Sequence, residues 1–151
     1  MNLFGWIDFY SGLEKTKEIG GCIEASSITL ANGDTYTNAV ITRVDYTGNR
    51  FYTVGFMDEQ GTVRVVNVDQ VSVVENPEYK KVREANNLAY QKWAREQKRL
   101  RAVRLLEISK GASRSSYEKE LNTLMDDIGV KSVEELYQPV TDKRVLSIVG
   151  A

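Results

Sequence analysis

The sequence predicts an α+β protein: a small five-stranded antiparallel β-barrel with an N-terminal helix, a long basic helix and a short helical tail. Three observations carry that prediction. From Ile28 to Val74 the apolar residues fall in short runs, parted by the turn signals Asn32-Gly33-Asp34, Thr47-Gly48-Asn49 and Asp58-Glu59-Gln60-Gly61. The residues in those runs are mostly β-branched or aromatic, which suits a half-buried pleated surface. On both sides of this stretch the apolar spacing changes to three and four, the period of a helix. So short a stretch holds too few strands for a large sandwich, so closure into a small barrel is expected. The chain then divides into 1–21, an amphipathic helix; 22–75, the barrel; 76–110, the long basic helix; and 111–151, a helical tail.

Leu3, Trp6, Ile7, Tyr10 and Leu13 recur at three and four, so Asn2 to Glu18 reads as a short amphipathic helix, stopped by Gly20-Gly21. Its apolar face has two readings. It covers an open end of the barrel, or it anchors into a neighbouring subunit through Trp6 and Phe9. It lacks the basic border of a helix lying on a membrane.

Asn76 reads as an N-cap, Pro77 as the first helical residue, and Glu78 suits the positive end of the helix dipole. From there the pattern predicts a helix running to Ser109 or Lys110 and capped by Gly111. At 1.5 Å per residue it would be a rod of roughly 50 Å. Its apolar residues, Tyr79, Val82, Ala89, Trp93, Leu100 and Val103, approximate a heptad seam interrupted by Asn86 and Glu96. Trp93 and Leu100 are the candidate partner-binding residues on it. Farther on, Ser115 with Glu118 and Ser132 with Glu135 form two capping boxes. They open helices that end at Gly129 and before Pro139, and Arg144 to Val149 is apolar enough to add an edge strand.

The net charge of −1 hides an uneven spread. Residues 1–75 hold five Lys/Arg against ten Asp/Glu, whereas residues 76–110 hold ten against four. An acidic barrel is therefore followed by a basic helix. Lys92, Arg95, Lys98, Arg99, Arg101 and Arg104 crowd one stretch of it, opposed only by Glu96. Such a stripe suits three surroundings: water, the acidic surface of a protein partner including a second copy, or the phosphates of a nucleic acid.

Catalysis is not expected. There is no histidine to act as a general base, and the single cysteine, Cys22, has no histidine partner. No Gly-rich phosphate loop is present. The carboxylate pairs Asp126-Asp127 and Glu134-Glu135 point apart on a helix, so no metal and no cofactor is expected. A lone cysteine cannot close an internal disulfide, which favours a reducing compartment. No apolar run of about eighteen residues reads as a membrane span, and the aromatic, acidic start does not resemble a secretory signal. A cytoplasmic or virion location is expected, with no membrane partner.

The barrel stretch resembles the Sm-like family, whose members have an N-terminal helix followed by five bent strands and close into rings. The likeness rests on Ile28, Leu30, Gly33, Tyr36, Val40 and Val44, and on Asp45-Tyr46-Thr47-Gly48-Asn49 in the place of the family's Asp-x-x-x-Asn turn. It implies a nucleobase-holding role for Asp45 and Asn49. The second family motif departs: Val66-Asn67-Val68 stands where an apolar residue followed by Arg-Gly is usual, and Asn38 stands in place of a second Gly. With its helical extensions the architecture is also similar to the ring-forming joining and accessory proteins of tailed phage particles, without a shared motif.

The sequence thus points to a non-catalytic, self-associating assembly or adaptor protein, such as a component of a phage particle. It forms a homo-oligomer or joins a larger assembly. Two alternatives stand beside it: a nucleic-acid-binding module using Asp45, Asn49 and the basic stripe, and a small inhibitor that clamps a host protein.

Overall fold

A computed structural model describes residues 3–108 and 114–129. The chain forms two compact units, Met1–Lys92 and Trp93–Ala151. The first unit opens with α1 (Trp6–Ile19), followed by β1 (Cys22–Leu30), β2 (Thr35–Thr47), β3 (Arg50–Met57), β4 (Val63–Asn67), β5 (Val71–Glu75) and β6 (Glu78–Lys80). Helix α2 (Leu88–Ile108) crosses the division, and α3 (Arg114–Ile128) lies in the second unit.

The strands form one open antiparallel sheet in the order β4-β3-β2-β1-β5, with β6 also paired to β1. The three hairpin turns sit where the Gly-containing signals placed them. The far side of β1 is covered in two pieces. β5 pairs with Ser27–Leu30, and β6 pairs with Cys22–Glu24. Irregularities at Thr29/Leu30, Ile41/Arg43 and Asp45/Tyr46 interrupt the ladders, and such bulges bend and twist a sheet locally.

Side chains alternate across the strands, so the sheet has two different faces. On one, Ile23, Ala25, Ile28, Ala39, Ile41, Val44, Val54 and Phe56 are buried together with Leu3 and Phe9 of the N-terminal segment. On the other, Cys22 and Val40 pack with Ala85 and Tyr90. The N-terminal segment and α1 therefore pack on the core face of this open sheet. Gly5 is its N-cap, and the Asp8 carboxylate accepts the Phe4 N–H at 2.9 Å, satisfying a donor just before the helix. At Gly21 (φ 97) an added Cβ would lie 2.6 Å from the Tyr79 hydroxyl oxygen, whose proton goes to the Gly20 carbonyl. That close approach, together with the positive φ, is what excludes a side chain there.

The exit from the sheet differs from the expected long helix. Asn76 adopts a left-handed conformation (φ 46) and turns the chain from β5 into β6. A 3-10 turn at Val82–Glu84 follows, and α2 begins only at Leu88. It is thus about 32 Å long. Tyr79 and Val82, expected on a helical seam, belong to the extended strap between β5 and α2.

Buried polar groups hold that strap. Glu24, on β1, is buried, and its carboxylate accepts the N–H groups of Asn86 (3.0 Å) and Asn87 (2.8 Å) and the Lys80 ammonium (2.9 Å). Partial burial disfavours the charge on Lys80, but the hydrogen bond and attraction to Glu24 outweigh it and raise its pKa. Asn87 is fully buried. Its amide nitrogen lies 2.9 Å from the Asn38 carbonyl and 3.1 Å from those of Met57 and Asp58. Its side-chain oxygen accepts the Tyr90 N–H at 3.0 Å, which makes Asn87 the N-cap of α2. One residue thereby ends the strap, starts the helix and satisfies carbonyls at the end of β3.

The second unit contains the rest of α2 and α3. Ala94, Ala102, Leu121, Leu124 and Ile128 are buried, and Gly129 (φ 91) ends α3 by donating to the Met125 carbonyl. The Gly111 cap, the side chains of the Ser115–Glu118 box, the helix expected after Ser132 and the strand expected at 144–149 lie outside the described residues.

Replacing Asn87 by Ala removes a cap and leaves buried carbonyls unsatisfied. It should lower stability by at least about 2 kcal/mol in urea unfolding. Asn87→Ser keeps a capping oxygen and should lose less. Equal losses for the two would place the whole effect in the carbonyl contacts.

Candidate functional site

Two features of the first unit are uncovered by any of the described residues: the terminal strands of the sheet and a groove beside one of them. Among the described residues β4 pairs only with β3, and β5 only with β1. Each therefore presents a row of backbone N–H and C=O groups along its outer side, a template for another strand. Natural sheets usually blunt such edges with Lys, Pro or inward-pointing charge. Neither strand contains Lys or Pro. Val63, Val65 and Val73 are 58%, 56% and 46% exposed, and the register sets all three on the face opposite Phe56 and Ile28.

A buried carboxylate shapes the turn that leads into β4. Asp58 accepts the Gln60 and Thr62 N–H groups, both at 3.0 Å, and Arg64 Nε at 2.9 Å. Burial works against its ionised form, yet these bonds and the guanidinium together hold its pKa below the ordinary 3.8. Arg64 is drawn inward and stacks 4.6 Å from the Tyr36 ring centroid. The one basic residue of β4 is thus turned away from the outer face, which is left to Val63 and Val65.

Beside β5 lies an open groove of about 470 Å³, formed by Leu3, Phe4, Trp6 and Phe9 on one side and by Val71, Ser72, Val74 and Pro77 on the other. Phe4 (86% exposed) and Ile7 (66%) continue the apolar surface past it. At the hairpin end, Tyr10, Tyr46 and Phe51 form a mutual aromatic cluster with centroids 5.2 to 6.4 Å apart.

Of the four expected partner-binding residues, Phe9 is 4% exposed and part of the sheet core. Trp6 is half-buried, meets Phe9 edge-on at 5.5 Å and lines the groove. Trp93 and Leu100 are each about half exposed on α2. Asp45 accepts hydrogen bonds from Arg43 Nε (2.7 Å) and from the Thr53 hydroxyl, and the latter bond above all lowers its pKa. Its carboxylate is thereby engaged across the sheet surface, whereas Asn49 is exposed at the hairpin tip.

The basic stripe is not presented whole. Lys98 pairs with buried Asp127 (2.5 Å), Arg101 with Glu120 (2.6 Å) and Arg99 with Glu96 (2.7 Å). The first two pairs tie α2 to α3. Arg95 is half-buried, while Lys92 and Arg104 are exposed. Among the described residues no three acidic or cysteine side chains converge on a metal-sized space, and no helix is long and apolar enough to cross a membrane. No protein-family model matches the chain, and neither does any curated protein or solved structure.

The sheet edges were missed at the sequence level, because pairing partners are not visible in a local pattern. The signal was present as two short valine-rich runs without Lys or Pro.

Two outcomes check this description. Lys98→Met removes the ammonium beside a buried carboxylate and should destabilise the second unit by about 3 kcal/mol. The double change Lys98→Met with Asp127→Leu should recover much of that, read by urea unfolding. Asp58 has a lowered folded-state pKa, so its contribution is complete above pH 3.8 and is lost as pH falls through the lower folded value. The stability gap between the native chain and Asp58→Asn should therefore be widest near neutral pH and close in acid.

Proposed function

We propose that this chain is a non-catalytic, self-associating assembly or adaptor protein that adds copies at the open edges of its sheet. One observation carries the reading: two terminal strands of matching length, both valine-rich and without Lys or Pro, on one small sheet. An exposed apolar edge is costly for a protein that must remain a monomer, because it templates uncontrolled pairing. Kept in place, it is a docking device. Unlike edges that join head to tail give rings where the rotation closes and filaments where it does not.

The bulged strands support a sheet curved into a small barrel of the Sm-like kind, with α1 across its core. Asn38 adopts a left-handed φ of 48 where the Sm-like pattern places a Gly, which is the conformation a Gly serves. In this reading the protein works in the cytoplasm or within a particle, such as that of a phage, and its partners are copies of itself or neighbouring structural proteins.

A second reading, nucleic-acid binding, is favoured by one feature. Tyr46 is half exposed between Asp45 and exposed Asn49, where a base can stack on it. The ion pairs of Lys98, Arg99 and Arg101 weigh against the basic helix as its phosphate track. Single-stranded RNA binding that falls steeply with salt and is lost in Tyr46→Ala would support it. No binding at low salt would end it.

Light scattering on the full chain tests the leading reading. The native protein should form a defined oligomer whose mass falls on dilution. Val65→Lys, a charge on the edge, should be monomeric, with stability changed by no more than about 0.5 kcal/mol. A native protein that stays monomeric at high concentration contradicts the proposal.

A further inference from the structure

The walls of the groove beside β5 are fixed from within. Leu3 is 7% exposed and Phe9 4%, so both are pinned in the core, whereas Phe4, next to Leu3, is 86% exposed. The Asp8 carboxylate accepts the Phe4 N–H at 2.9 Å and so steadies the wall that carries this ring. Val71 and Val74 lie opposite Leu30 and Ile28, pack against the core and form the floor. Between them Ser72 has no partner in the register, since Leu30 faces Val71 and Thr29 faces Val73. It is the extra residue of a β-bulge, a device that re-aims a side chain, and it lines the groove. Trp6 lines it too. Its ring meets Phe9, and among the described residues its indole N–H has no hydrogen-bond partner.

The hydrogen-bonding character of this lining is one-sided. Its side chains offer two donors, the Trp6 indole and the Ser72 hydroxyl, and that hydroxyl is their only acceptor. The other lining side chains are apolar, and they include Pro77. No Lys or Arg lines the groove, and its surroundings are acidic: Asp69 precedes β5, Glu75 ends it and Glu78 follows Pro77, all three exposed. That charge disfavours nucleic acids and anionic lipid headgroups. A complementary ligand presents carbonyl oxygens, few N–H groups, flat apolar rings and positive charge at its ends. A proline-containing chain has this chemistry. Proline lacks the N–H, and the polyproline II form has no internal hydrogen bonds, so its carbonyls remain available. Its preformed shape also lowers the ordering cost of binding. The five residues of β5 span about 13 Å at the rise of a strand, which about four residues of polyproline II match.

We propose that the groove binds a basic, proline-containing segment of a partner protein in the polyproline II conformation. Phe4 and Trp6 stack on its prolyl rings. The Trp6 N–H and the Ser72 hydroxyl donate to its carbonyls, and Asp69 and Glu75 pair with Arg or Lys at its ends. The contact uses groove side chains and not the outer backbone ladder of β5, so it goes beyond the self-association reading and does not depend on it.

The test uses the full chain with Trp93→Phe, which leaves Trp6 as the sole tryptophan. The probe is a short capped peptide with an arginine at each end and prolines between. Its titration into dilute protein should shift the Trp6 emission to the blue and saturate. Ser72→Phe fills an exposed groove position with a ring; it should abolish the shift while leaving the circular dichroism unchanged. Trp6→Phe in the native chain keeps a ring and loses the N–H, and should weaken binding about fivefold to tenfold by calorimetry. Asp69→Lys combined with Glu75→Lys should reverse the preference, from the arginine-ended peptide to a glutamate-ended one. The same titration on Val65→Lys should give the same affinity, so the outcome is read separately from whether the native chain assembles.

A control peptide with alanine for every proline should bind at least about tenfold more weakly. Equal binding of the two would show charge attraction alone and overturn the proposal. Tighter binding of an arginine-ended peptide rich in alternating valines would make a strand the occupant, which also overturns it. So does a titration with no saturable change.

Discussion

A sheet that is not closed has edges, and an unpaired edge must be covered, blunted or used. The first unit of this protein answers that constraint differently in different places. One end of the far side of β1 is covered by β6, a three-residue strand too short to hold itself. What holds it is polar: Glu24 buried beneath the strap, with Lys80 and the N–H groups of Asn86 and Asn87 bonded to its carboxylate. Charge burial on this scale persists only where the geometry satisfies it. Among the described residues, nothing covers the rest of that side or the outer side of β4, and valines lie at the surface of both. The same contacts that seal one stretch of edge thus define where the exposed stretch begins.

The two-sided packing explains why the sheet tolerates open ends. Its central strands carry the load on both faces. Ile23 and Ala25 point into the α1 core, while Cys22 and Glu24, their neighbours in sequence, point under the strap. The terminal strands contribute little of the buried core: Val66 and Val74 are only partly covered, and Val63, Val65 and Val73 are about half exposed. Pairing with another strand would bury apolar surface and satisfy backbone groups together. Stability and the proposed self-association therefore rest on different residues, which is why edge variants are expected to separate them.

How much of this was legible in the sequence differs by element. The hairpin turns were, because Gly33 and Gly61 supply left-handed backbone at positions where few other residues can. The end of α1 was legible, but the helix begins at Trp6 rather than at Asn2, and its orientation was not legible. It is apolar on several sides, so Trp6-Phe9-Leu13 and Ile7-Tyr10 both have helical spacing; tertiary packing chose the first and left Ile7 at the surface. Asn76-Pro77 has the local chemistry of a helix start, but Asn also suits a left-handed turn. The choice was made by Glu24, about fifty residues earlier in the chain, which draws the strap back along β1. The true cap, Asn87, was visible only as a polar residue beside an interruption of the expected seam. The basic stripe was correctly located, yet its partners Glu120 and Asp127 come from α3, where periodicity could not pair them with Arg101 and Lys98.

The central claim is that the terminal strands are built to be paired by another copy. Amide hydrogen exchange at two protein concentrations measures this most directly. The account predicts that amides of Val63–Asn67 and Val71–Glu75 not bonded within the sheet exchange quickly in dilute solution and become protected at high concentration, while those of β2 stay protected throughout. Edge amides that exchange equally fast at both concentrations would contradict it.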